Sequence, residues 1–173
     1  MATLKITKGP NVSTDAKNLV AKLTKQCLRE MSKKKYEITR YTYVNCPNIT
    51  YKEMLQDINI HVKKRGQSSN GGKGEITIDV SEYERRMTKC WEYKAYSDDP
   101  IIGEFDSSPE ICLLGTVAHE VAHFIQYTYG PATRHLKNNY SKPHGEGFQW
   151  IYSQLRREIV NPRVEANKLK EVA

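Results

Sequence analysis

The pentad His119-Glu120-Val121-Ala122-His123 has the residue types of a hydrolytic metal centre at helical spacing. Histidines four apart stand one turn above each other, so both imidazoles can converge on one ion from a single rigid surface. Glu120 is rotated by about 100° from His119. From there its carboxylate can reach a metal-bound water without displacing either ligand. Neutral imidazole suits Zn²⁺, which lowers the pKa of bound water from about 15.7 to about 7 and so makes its proton available to a neighbouring carboxylate. One Zn²⁺ is therefore the expected cofactor, with His119 and His123 as ligands and Glu120 as general base.

Two histidines leave a tetrahedral ion short of protein ligands, so a third is expected elsewhere. His144 stands 21 residues after His123, in Lys142-Pro143-His144-Gly145-Glu146-Gly147-Phe148. Pro143 stiffens the entry to the following helix, and Gly145 admits close backbone approach. Glu146 is the main rival ligand and Glu158 a weaker one, while His61 and His135 read as ordinary surface or hydrogen-bonded histidines. Three histidines with a spare glutamate describe an open, catalytic site. A fourth protein ligand, such as Cys112 or His135, would describe a closed, structural one. No carboxylate cluster suited to paired metals is visible, which favours peptide hydrolysis over phosphodiester cleavage. The alternative from another class is a non-enzymatic nucleic-acid-binding protein with a structural metal site.

The pentad must sit on a helix for its spacing to matter. One is expected over Ile111–Tyr129, started by Ser107-Ser108-Pro109-Glu110 and stopped by Gly130-Pro131. Leu114, Val117, Ala118, Val121 and Ile125 make one side of it apolar, so it belongs in the core. A C-terminal helix follows, with Phe148, Ile151, Tyr152, Leu155 and Ile159 in one stripe. Asn161-Pro162 is expected to end it and leave 161–173 as a frayed tail. Upstream, Asp15–Met31 reads as an amphipathic helix whose outer face carries Lys17, Lys22, Lys25 and Arg29. Asn11, Ser13 and Thr14 offer its cap.

Strands are expected at Tyr36–Val44, Asp57–Val62 and Glu75–Val80, with a weaker signal at Trp91–Tyr96. The Gly-rich stretch Lys63–Gly74 reads as a mobile hairpin loop between two of them. The expectation is an α+β domain spanning residues 1–173, with its core over about 10–160 and a small, mainly antiparallel sheet. Trp91 and Trp150 read as packing residues, a substrate groove being the other place for either.

With 173 residues, 38% hydrophobic and 27% charged, the chain suits one globular domain. No apolar run approaches a membrane span, and the first residues lack the apolar core of a signal peptide, so a cytoplasmic setting is expected. Cys27, Cys46, Cys90 and Cys112 never form Cys-x-x-Cys and read as reduced packing thiols. Charge is split along the chain. Residues 1–73 hold 15 basic and 5 acidic side chains, net +10, against 12 and 15, net −3, over 74–173. Such asymmetry points to a polyanion, DNA first, because clustered cations release counterions when they meet phosphates. The candidate contacts are the basic helix face and Lys63, Lys64 and Arg65, with Tyr36, Tyr41 and Tyr43 as stacking surfaces.

His119-Glu120-Val121-Ala122-His123, followed by His144-Gly145-Glu146-Gly147-Phe148 at a helix start, resembles the SprT-like (Spartan-type) zinc metalloprotease domain. That family pairs H-E-x-x-H with a distal H-G-x-x-F. The resemblance implies a zincin-like fold, His119, His123 and His144 on zinc, and Glu120 as catalytic base. It implies cleavage of proteins held on or crosslinked to DNA, and hence a nucleoid or nuclear association. Residues 107–160 carry the specific match, while the order of elements extends it over roughly 10–160.

Overall fold

A computed structural model describes residues 4–34, 49–66, 68–129 and 142–172. The expected strand Tyr36–Val44, Cys46, His135 and Gly130-Pro131 lie outside them. The apolar periodicity of the N-terminal segment does build a helix, α1 (Thr14–Lys33). Ser13 caps it by accepting a hydrogen bond from Ala16 N at 3.1 Å. Val20, Leu23, Cys27, Leu28 and Met31 are buried, while Lys22, Lys25 and Arg29 stay exposed. Two elements carried too short a pattern to be anticipated, β1 (Lys5–Lys8) and α2 (Tyr51–Asp57). The second is held by a reciprocal capping box between Thr50 and Glu53.

The sheet departs from expectation. β1 pairs with β2 (Asn59–Lys63), and β2 with β4 (Glu75–Asp79), both in parallel; only β3 (Asn70–Gly72), at the edge, is antiparallel, to β4. The order is β1-β2-β4-β3, so the sheet is mainly parallel rather than mainly antiparallel. Period-two alternation selects the buried face but says nothing of strand direction. Ile60 pairs with Ile76 and Val62 with Ile78, and all four face the core. Within the expected loop, Asn70-Gly71-Gly72 turns through Lys73-Gly74 into β4, with Gly74 at φ +76°.

A short helix, α3 (Ser81–Glu84), leads to a two-stranded ribbon of β5 (Lys89–Cys90) and β6 (Phe105–Asp106). Trp91–Tyr96 is therefore not a strand: it leaves the ribbon as coil and closes in a 3₁₀ turn at Lys94–Tyr96. The long helix α4 (Pro109–Tyr129) carries the pentad, and α5 (Glu146–Leu155) follows His144.

The expected stop at Asn161-Pro162 does not occur. A π-helical turn over Arg156–Val160 continues α5 into α6 (Asn161–Val172), so 161–172 is helix rather than frayed tail. Proline within a helix removes a hydrogen bond and crowds the preceding turn, and the wider π turn immediately before it makes room. One core unites the isoleucines of the sheet, Leu23 and Leu28 of α1, Val117 and Phe124 of α4, and Phe148 and Tyr152 of α5. Each large side chain taken fully out of water contributes about 1.5–3 kcal/mol. No helix of the described residues is long and apolar enough to cross a membrane.

Candidate metal centre

His119 and His123 project from the middle of α4, and His144 enters from the segment before α5. The His144 Nε2 lies 3.1 Å from His119 Nε2 and 3.0 Å from His123 Nε2. All three ligand atoms lie within 4.8 Å of one another. In a tetrahedral Zn²⁺ site with Zn–N of about 2.05 Å the ligand nitrogens stand about 3.3 Å apart, so the spacing fits one ion shared by three imidazoles. The three histidines could thus hold a metal ion, and an all-nitrogen donor set suits zinc among other first-row metals.

His144 is held in a left-handed backbone conformation, φ +59°, which a non-glycine residue adopts at a cost of about 1 kcal/mol or more. Its ring stacks on Tyr93 at 4.6 Å between centroids and meets Phe148 edge-on at 5.0 Å. Gln126, one turn beyond His123, donates to the carbonyl of Lys142 at 3.0 Å and ties that segment to α4. Gly145, expected to admit close backbone approach, is the extended N-cap residue of α5, with φ −78°.

Sequence reasoning missed Glu92, whose side chain is 4% exposed. Its Oε1 lies 2.8 Å from His119 Nδ1, the ring nitrogen pointing away from the ligand cluster. Its Oε2 accepts from the Tyr152 hydroxyl and lies 3.7 Å from Arg156 Nη1. Arg156, also buried, donates to Tyr152 Oη at 3.1 Å, to Gly103 O at 2.9 Å and to Asn161 Oδ1 at 2.9 Å. A carboxylate behind a ligating histidine fixes its tautomer and orientation and raises its basicity as a ligand. No spacing pattern marks Glu92, because it comes from an irregular segment.

Glu120 is buried, and its Oε2 finds no hydrogen-bond partner among the described residues. Burial pushes its carboxyl up to about 7, against the pull of His119 and Lys63 and with the help of Glu92. Burial likewise drives His123 down to about 3, reinforced by His119 and His144 and opposed by Gln126, whose side chain favours the protonated ring by accepting from it. His144 is also lowered, again by burial first. Neutral imidazoles at these positions are the form a metal needs.

The cluster lies in a cleft of about 650 Å³ bounded by β3, the first turns of α4 and the 87–93 segment. Gly71 of β3 lies directly on the motif. A Cβ there would come within 2.5 Å of Glu120 O and 2.7 Å of His123 Cβ. Only glycine lets the strand approach the helix this closely.

The other candidates are elsewhere. Glu158 pairs with Lys34 at 3.1 Å, Glu146 is exposed on the first turn of α5, and neither joins the cluster. His61 is exposed, with Nδ1 2.7 Å from Thr7 Oγ1. Cys112 donates its thiol hydrogen to Thr88 O at 3.1 Å. Cys27, Cys90 and Cys112 are free and buried. Lys63 is half-buried opposite Asp79, and Lys64 pairs with Glu84 at 2.6 Å, leaving Arg65 exposed. Glu84 also accepts from Ser13 N at the start of α1. Through Glu84, Lys64 is linked to the N-terminal end of α1, whereas Lys25 and Arg29 stand about three to four turns further along that helix. Tyr36, Tyr41 and Tyr43 lie outside the described residues. Compared with protein-family models, curated proteins and solved structures, the chain matches none.

Proposed function

We propose that this chain is a zinc-dependent peptidase of the SprT-like, zincin-like type, in which His119, His123 and His144 hold one Zn²⁺ and Glu120 is the general base. One observation carries the reading: three ligand nitrogens within 4.8 Å of one another stand beside a buried carboxylate with an unpartnered oxygen among the described residues. When bound, the ion would supply Lewis acidity at the scissile carbonyl and lower the pKa of water there. Glu120 takes a proton from the attacking water and delivers it to the leaving amine nitrogen. A carboxyl poised near neutrality is suited to both transfers. Glu92 holds His119 in the tautomer that presents Nε2 to the cleft.

Two features favour a peptide as substrate and an open site as its setting. β3 is an edge strand, and an extended chain can add to such an edge through its backbone, lying over Glu120 beside Gly71. Cys112, one of the side chains that would close the site, donates to Thr88 O instead, which favours an open position over a metal that merely pins helices together. The net +10 of residues 1–73 supports proteins held on DNA as substrates, in a cytoplasmic, nucleoid or nuclear setting.

Metal analysis of the purified protein, with turnover of an unstructured protein, tests the reading. Glu120→Gln is expected to keep its zinc and lose about 10²–10⁴ in kcat, whereas His123→Ala loses both zinc and activity. A Glu120→Gln protein as active as the parent would remove the general base.

A further inference from the structure

Among the described residues four large apolar side chains are exposed, and three of them, Met87 (40%), Trp91 (57%) and Tyr93 (51%), line the metal cleft. An exposed aromatic on a coil segment is ordinarily loose, but Trp91 is held. Lys89 Nζ stands 4.3 Å from the centre of its ring and is itself anchored to Glu104 at 3.0 Å. Tyr93 is fixed by its stack on His144. The three side chains line the same cleft, and Tyr93 joins this apolar wall to a candidate metal ligand. The start of α4, on which Thr88 and Cys90 pack directly, adds the apolar surface of Pro109 and Leu113, and β3 also borders the cleft.

We infer that this wall is a specificity subsite that takes a large apolar or aromatic side chain of the peptide substrate. The inference rests on the peptidase reading and adds the chemistry of the substrate to it. Charge selects this occupant over a nucleobase. Asp79, Glu82 and Glu120 line the cleft and offset Arg85 and the bound ion, while Lys89 is neutralised by Glu104 and Glu92 by Arg156, so a phosphodiester chain meets no net positive charge to hold it. Position selects it over a remote docking patch. A substrate strand paired with β3 places alternate side chains toward one wall of the cleft, and the wall available is Met87-Trp91-Tyr93.

Positional scanning tests this on the zinc-loaded full chain. Capped hexapeptides carry Gly, Ser, Leu or Phe at each position in turn, and anisotropy of the same labelled peptides is read on Glu120→Gln. At one position Leu and Phe are expected to exceed Gly by about tenfold or more in kcat/KM and in affinity. Trp91→Ala should reduce that preference to within about twofold, chiefly through the loss of kcat/KM and affinity for the Leu and Phe peptides, and Trp91→Phe should keep most of it. Equal handling of Gly and Phe at every position, or an undiminished preference in Trp91→Ala, overturns the subsite and leaves the peptidase reading standing. If no peptide is cut, the peptidase reading falls and the anisotropy ranking still decides the subsite. Trp91-dependent preference for Leu and Phe sustains it, and a flat ranking overturns it. Tighter, Trp91-dependent binding of single-stranded oligothymidine also overturns it.

Discussion

Glu92 reaches His119 from 27 residues upstream, through a ribbon that the sequence does not announce. Its charge does two things: it fixes the His119 ring, and it balances Arg156 in a place where neither can reach water. Glu92→Gln keeps the shape, removes the charge and leaves Arg156 poorly compensated. Zinc affinity, measured by competition with a chelator, should fall about 10–100-fold, and the urea midpoint should fall with it. Unchanged affinity would show that His119 orients itself. His123 gives a pH prediction for the metal-free protein. Its native pKa, about 3, lies below the ordinary value of 6.5, so between those pH values the unfolded chain binds a proton that the native one refuses. The stability is thus complete above pH 6.5 and is lost as pH falls toward 3, at about 2 kcal/mol by pH 5. Denaturant midpoints at pH 7.5 and 5, compared with those of His123→Asn, read this directly, and the variant should show the shallower dependence.

Elements show why part of the site was legible and part was not. α4 could be read from its start signal, its apolar side and the pentad, because helix periodicity, burial and ligand spacing all follow from one 3.6-residue repeat. His144 could be assigned by residue type and distance along the chain, but its left-handed backbone could not, since the signal for that conformation is a glycine and the glycine stands one place later. The buried faces of β2 and β4 were legible, whereas their parallel direction depends on where the intervening chain goes. β3 was invisible, because Asn-Gly-Gly has no strand propensity and exists as a strand through its packing on α4. That dependence is testable at Gly71. An added methyl would meet the Glu120 carbonyl and the His123 Cβ, neither of which is the far end of a flexible side chain. Gly71→Ala should cost about 1–3 kcal/mol of stability and lower turnover by displacing β3, while zinc is retained, because the ligands stand on α4 and before α5. Parental turnover in this variant would mean that β3 takes no part in holding substrate.

At the scale of the whole molecule, the two signs of charge are assigned to different jobs. Residues 74–173, net −3, supply the carboxylates and most of the lining of the cleft, which β3 completes, while the net +10 of residues 1–73 is displayed in part on the outer face of α1. α1 packs on α4, so a polyanion held by the one helix is carried beside the candidate metal ligands of the other. Lys22 and Lys25 are exposed and make no ion pair among the described residues, unlike Lys64, which Glu84 neutralises. These lysines, with Arg29, whose guanidinium lies 5.5 Å from the centre of the Tyr51 ring, are cations that can meet phosphate. Three such contacts predict non-specific duplex binding with a log–log salt slope of about −2.7, or roughly fortyfold weaker binding at about 200 mM than at about 50 mM salt. Lys22→Glu with Lys25→Glu should lower the magnitude of that slope by about 1.8 and leave cleavage of a DNA-free peptide unchanged, since neither side chain borders the cleft. Fluorescence anisotropy of a labelled duplex across a salt series measures it. Affinity that stays level across the series, or a slope that survives the double substitution, would detach the basic helix from DNA and leave the metal cleft to find its substrates unaided.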